Sequence, residues 1–115
     1  METIRAVDAL QALAQETRLT AFRLLVEAGP QGIAAGEIAK ALNVAPPTLS
    51  FHLSALLNAG MVDNRREGRQ VIYIANFEAM DTLLAFLARN CCRGEEDCLP
   101  SLRESACRPA VKRAR

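Results

Sequence analysis

The chain has 115 residues and a mass of 12.5 kDa, room for one domain around a single modest core. Half of its residues are apolar and 23% are charged, ordinary for a soluble globular protein, and no apolar run approaches the ~20 residues a bilayer span needs. The net charge of +1 excludes a strongly basic or acidic partner-binding chain. The opening METIRAVDAL carries acids and no apolar leader stretch, so a cytoplasmic location is expected.

Ile4, Val7, Leu10 and Leu13 fall three apart and predict a first amphipathic helix. A second helix begins after Gln15-Glu16-Thr17, places Leu19, Phe22, Leu25 and Val26 on one face, and stops at Gly29-Pro30. A short third helix, about Gly36 to Leu42, is expected to bury Ile38, Ala39 and Leu42, and Asn43-Val44-Ala45 reads as a tight turn. The fourth helix starts at Pro46. Ala45 at its N-cap offers no side-chain acceptor, and Pro46 and Pro47 soften that loss because they have no N–H to satisfy. Leu49, Leu53, Leu56 and Leu57 form its core stripe, and Gly60 is the expected left-handed terminus. The period then changes to two. Met61 to Arg66 and Arg69 to Ile74 predict two strands joined around Glu67-Gly68. A last helix is expected from about Phe77 to Cys92, with Phe77, Met80, Leu83, Leu84 and Leu87 on its apolar side. The order α-α-α-α-β-β-α is a mainly α (α+β) class. Residues 1–92 read as one domain, and residues 93–115 as a cysteine-containing segment with a basic tail.

Two short helices joined by a tight turn and followed by a hairpin with a basic tip form a winged helix-turn-helix. Charge distribution agrees. Residues 1–39 carry three arginines against five acids, whereas residues 40–74 hold Lys40, Arg65, Arg66 and Arg69 against Asp63 and Glu67. With the leucine stripe inward, Phe51 points away from the core, flanked by Pro47, Ser54 and Ala55 and bordered by Thr48, Ser50 and His52. An outward aromatic can cover a thymine methyl while Thr48, Ser50 and His52 bond base edges or phosphates. The plainer alternative packs Phe51 on another element and leaves His52 an ordinary helix histidine. Arg65, Arg66 and Arg69, with Gln70 beside them, are the phosphate candidates; a charged hairpin tip with no partner is the competing reading. One reading helix covers few base pairs, so a two-fold dimer on an inverted repeat of double-stranded operator DNA is expected.

The runs EIAKAL (37–42), PTLSFHLSALLNAGMV (47–62) and REGR (66–69) with Tyr73 resemble the ArsR/SmtB family of metal-sensing repressors. The resemblance spans the first helix to the last. It implies a homodimer, formed largely by the first and last helices, that represses an operon until a toxic ion binds.

All four cysteines follow residue 90: Cys91, Cys92, Cys98 and Cys107. A disulfide framework would spread them along the chain, so clustered thiols favour metal or redox chemistry. Many arsenic sensors of the family place a Cys-x-Cys pair near the reading helix, where this chain has Asn43 to Thr48. The usual zinc ligands on the last helix are missing too, since the only histidine is His52. Cys91, Cys92 and Cys98 instead resemble the C-terminal site of an arsenic-responsive subset. Three thiolates complete the pyramid of As(III) or Sb(III), whereas zinc prefers four ligands. Cys107 as a fourth ligand leaves a Cd(II), Pb(II) or Zn(II) sensor as the alternative. A disulfide switch through Cys98, incidental surface thiols and a small thiol-redox or arsenic-handling enzyme are further readings. The enzyme is disfavoured because no Cys-x-x-Cys, no histidine near the thiols and no cofactor loop occurs.

Overall fold

The computed structural model describes residues 1–94 and Leu99. Five helices and three short strands follow one another as α1 (Thr3–Leu13), α2 (Glu16–Ala28), β1 (Ile33–Ala34), α3 (Ala35–Leu42), α4 (Pro46–Asn58), β2 (Val62–Glu67), β3 (Gln70–Ala75) and α5 (Phe77–Ala88). Single 3₁₀ turns lie at Gly29–Gln31 and Cys91–Gly94. Among the described residues no helix is long and apolar enough to cross a membrane.

The core joins Phe22 and Leu25 of α2, Ile38 of α3, Leu49, Leu53 and Leu56 of α4, and Met61 and Val62 of the segment that follows. Leu83 of α5 closes it from the far side. Leu42, expected to be buried, is only half-buried and packs at the edge. The helix-turn-helix corner follows from local chemistry. Asn43 adopts a left-handed conformation (φ 55°), its N–H reaches back to α3 carbonyls, and the Val44 N–H donates to the Ala39 carbonyl at 3.0 Å. Gly60 (φ 78°) ends α4 in the same way, with the Met61 N–H on the Leu56 carbonyl at 3.0 Å. Asn76 then locks the hairpin's exit. Its side chain donates to the Gly60 carbonyl and accepts the Ala79 N–H as the N-cap of α5.

Three features add to or correct the expectations from the sequence. The stripe Ile4–Val7–Leu10 of α1 faces outward, 72%, 44% and 41% exposed, and the buried face is Ala6, Ala9 and Ala12. Alanines let α1 lie close against its neighbours, so small side chains, rather than large ones, mark its intrachain contact. Second, the sheet has three strands in the order β1-β3-β2, because Ile33 and Ala34 pair antiparallel with Tyr73 and Ile72. A two-residue strand carries no periodicity to read. Third, α5 stops at Ala88. Arg89 leaves helical geometry, Asn90 is left-handed (φ 60°), and Cys91 and Cys92 lie on the separate 3₁₀ turn, not on the helix. The hairpin turn also sits one residue later than expected, at Gly68-Arg69.

β1 exists because Gly32 lets two backbones meet. Gly32 has φ 74°, and a Cβ there would stand 2.5 Å from the Tyr73 carbonyl oxygen and 2.8 Å from the Ile72 and Ile74 side chains. Gly32→Ala is therefore expected to destabilise the fold by about 1–3 kcal/mol. A lowered urea midpoint at unchanged slope would show it.

Candidate nucleic-acid interface

α4 buries Leu49, Leu53 and Leu56 almost completely, which turns its opposite side to solvent. Pro46 and Pro47 occupy its first turn, and Ala45 caps it without a side-chain bond, as the residue types dictate. Pro47, Thr48, Ser50 and Phe51 are all exposed there, Phe51 at 68%. A large aromatic left in water among small and polar side chains is a contact surface in want of a partner. Among the described residues nothing packs over Phe51, and its one ring contact is edge-on to His52, centroids 5.6 Å apart.

His52 is less simple than helical geometry suggests. It is half-buried, and its Nδ1 lies 3.3 Å from Nη1 of Arg18, a residue of α2. The Arg18 Nε donates to the Ala12 carbonyl at 2.7 Å. Sequence reasoning missed Arg18, because nothing local in the chain marks an arginine that reaches another element.

On the hairpin the strand register divides the basic residues. Val62, Asn64 and Arg66 lie on the face shared with Tyr73 and Val71, and Asp63, Arg65 and Glu67 on the other. The first face is the one that packs on the core, through Val62, Ala75 and Tyr73. Tyr73 meets Ser50 and Leu53 of α4 there, around one small hollow. Arg66 thus extends from the sheet on the α4 side. Arg65 is engaged elsewhere: Nε contacts Glu67 at 2.6 Å and Nη2 donates to the Gln31 carbonyl at 3.0 Å. It ties the hairpin to the turn before β1. Arg69 and Gln70 are exposed at the tip, and neither Arg66 nor Arg69 has an ion pair among the described residues.

Cys91 is half-buried on its 3₁₀ turn, and Cys92 follows it. Cys98 and Cys107 lie outside the described residues. Among the described residues no group of three His, Cys, Asp or Glu side chains comes together.

A helix held with one face outward, a tight turn before it and a basic-tipped hairpin after it define a winged helix-turn-helix DNA-binding domain. Comparisons with known proteins agree. A family model described as a helix-turn-helix domain matches residues 13–65. The HTH-type transcriptional regulator YgaV of Escherichia coli is 26% identical over 88 residues, 76% of this chain and 87% of that protein. The arsenic resistance transcriptional regulator ArsR2 of Pseudomonas putida is 37% identical over 71 residues, 62% of this chain but only 60% of that protein. Among solved structures, HlyU from Vibrio cholerae superposes with a TM-score of 0.61 at 33% identity, covering 76% of this chain and 97% of that one. The homodimeric winged helix-turn-helix domain Mb0332 from Mycobacterium bovis, a possible ArsR-family regulator, gives 0.59 at 29% identity, covering 81% and 86%. The chain is similar to ArsR-type transcriptional regulators and carries a helix-turn-helix domain. It is a DNA-binding regulator and not an enzyme.

The two kinds of hairpin arginine should separate in a salt titration of DNA binding. Arg66→Ala and Arg69→Ala are each expected to lower the slope of log K against log salt by about 1.8 in a dimer, about 0.9 for each copy, with equal losses on specific and random DNA. Arg65→Ala should leave that slope near wild type and lower the melting temperature instead.

Proposed function

We propose that the protein is a homodimeric repressor that holds an inverted-repeat operator and releases it when As(III) or Sb(III) binds Cys91, Cys92 and Cys98. Its DNA contacts are Pro47, Thr48, Ser50, Phe51 and His52 of α4, with Arg66, Arg69 and Gln70 of the hairpin. Arg65 serves mainly to brace that hairpin. The single observation that carries the reading is the pair of outward faces on the molecule: Phe51 on α4 for DNA, and Ile4, Val7 and Leu10 with Leu84 and Leu87 for a second copy.

α1 and α5 touch, and both leave large aliphatic side chains in water, 57% exposed for Leu87. Such a patch on adjacent helices is what a two-fold interface buries. The homodimeric Mycobacterium bovis relative supports the same assembly. Replacing Ile4 and Leu87 together by Glu is expected to give a folded monomer by sedimentation that no longer retards operator DNA.

The inducer is supported by donor chemistry and by the likeness to ArsR2. Vicinal thiols at Cys91 and Cys92 supply two soft ligands on the turn after α5, and Cys98 follows six residues after Cys92 in the sequence. Arsenite exchanges its three hydroxyls for three thiolates, so three thiol protons leave with those hydroxyls as three waters. No fourth ligand is needed, and Cys107 is dispensable. Because the thiols follow the pairing helix and not α4, the ion acts on subunit geometry. A tenfold weaker operator complex requires about 1.4 kcal/mol of preference for the released arrangement.

The test is a mobility shift on the gene's own upstream region. Arsenite should reverse the shift for wild type and Cys107→Ser, and fail to reverse it for Cys91→Ser, Cys92→Ser and Cys98→Ser. An As(III) response lost in Cys107→Ser, with Cd(II) or Pb(II) effective only on the four-cysteine protein, would replace this reading with a four-thiolate sensor.

A further inference from the structure

We propose that Arg18 is a positioning residue for DNA reading: it fixes His52 as an Nε2–H donor aimed at a hydrogen-bond acceptor on DNA. The inference rests on α4 being the reading helix and adds to that assignment how its one histidine is set.

A guanidinium donates and has no lone pair to offer, so a bond from Arg18 Nη1 to His52 Nδ1 at 3.3 Å requires Nδ1 to be the unprotonated nitrogen. The ring proton then sits on Nε2. Hydrogen bonding at one ring nitrogen commonly sets the tautomer at the other. Arg18 is itself held at its backbone and at its guanidinium. Its backbone N–H donates to the Gln15 side chain, the N-cap bond of α2, and on the guanidinium itself Nε donates to the Ala12 carbonyl in the last turn of α1. That carbonyl belongs to the helix end that lacks intrahelical partners, so the arginine satisfies it while holding the ring. Phe51, itself exposed, meets the His52 ring edge-on, at 65° between planes.

The consequence is chemical. A histidine free to exchange tautomers can present either a donor or an acceptor. His52, pinned at Nδ1, presents a donor. It can bond guanine O6 or N7, adenine N7, thymine O4 or a phosphate oxygen, and it cannot accept from the cytosine or adenine amino groups. The arginine comes from the corner between α1 and α2, so the donor's direction is set outside the helix-turn-helix itself.

His52 is the only histidine in the chain, which makes its ring nitrogens unambiguous in long-range ¹H–¹⁵N NMR spectra of the free protein. The expected result is one tautomer, Nε2–H, in wild type, and a measurable Nδ1–H population in Arg18→Met. An Nδ1–H ring in wild type, or identical spectra for the two proteins, would overturn the proposal. Operator affinity supplies the second readout. Arg18→Met should weaken binding on the order of three- to tenfold, the scale of one hydrogen bond, and have no further effect in a His52→Ala background. Equal losses in both backgrounds would reduce Arg18 to a structural role. His52→Asn keeps an acceptor for Arg18 and lacks the distal donor. It should melt like wild type yet bind operator like His52→Ala, and wild-type affinity for it would refute the donor. A loss confined to operator places the acceptor on a base, and an equal loss on random DNA places it on a phosphate. Failure of the wild-type protein to retard DNA would remove the DNA half of the proposal, while the spectra still decide the Arg18–His52 half.

Discussion

Burial of Leu49, Leu53 and Leu56 along one side of α4 is the constraint on which the remaining structure depends. These three side chains are withdrawn from water against α1, α2, α3 and β2, at a gain of roughly 1.5–3 kcal/mol each. A 13-residue helix so anchored has no rotational freedom left, and its opposite side must face outward. The exposed Phe51 is therefore a product of core packing. The corner at Asn43 and the reversal at Gly60 bring the chain into and out of α4 without lengthening it, and Asn76 fastens the hairpin to the end of that helix.

α1 has two unlike faces, and both have work to do. Its alanines let it lie against the protomer's own core, and its branched side chains are left for a second copy. At its end the Ala12 carbonyl holds Arg18, which reaches His52. The helix assigned to pairing and the helix assigned to reading are thus linked through one side chain within a protomer. Cys91 and Cys92 lie beyond α5, on a turn set apart by the left-handed Asn90, so the sensing site proposed above would stand apart from the reading helix.

The reading unit was legible in the sequence because every signal in it is local. The uncapped start at Ala45, the leucine spacing, Gly60 and the change of period after it each act within a few residues. What escaped were features decided between elements. The spacing of Ile4, Val7 and Leu10 marks α1 as amphipathic without saying which partner the stripe meets, because a helix with two partners has two contact faces. β1 consists of two residues whose pairing is permitted by Gly32, and its signal lies in a close approach that a linear reading does not contain. The last helix was carried through to Cys92 because its apolar pattern gives no warning of the break at Arg89 and Asn90. Arg65 looked like Arg66 and Arg69 in the sequence. Strand alternation and the Gln31 carbonyl separate it from them only in three dimensions.

The claim at the centre of this account is that two copies of α4 and its hairpin grip successive turns of one face of DNA. Hydroxyl-radical and methylation footprinting of the protein on its own upstream region tests it most directly. Two symmetric patches of major-groove protection are expected, their centres about 10 base pairs or a small multiple apart, each flanked by backbone protection from the hairpin tip. In Phe51→Ala the major-groove protection should fade before the backbone protection does. A single asymmetric patch, or protection unaltered by Phe51→Ala, would contradict the account.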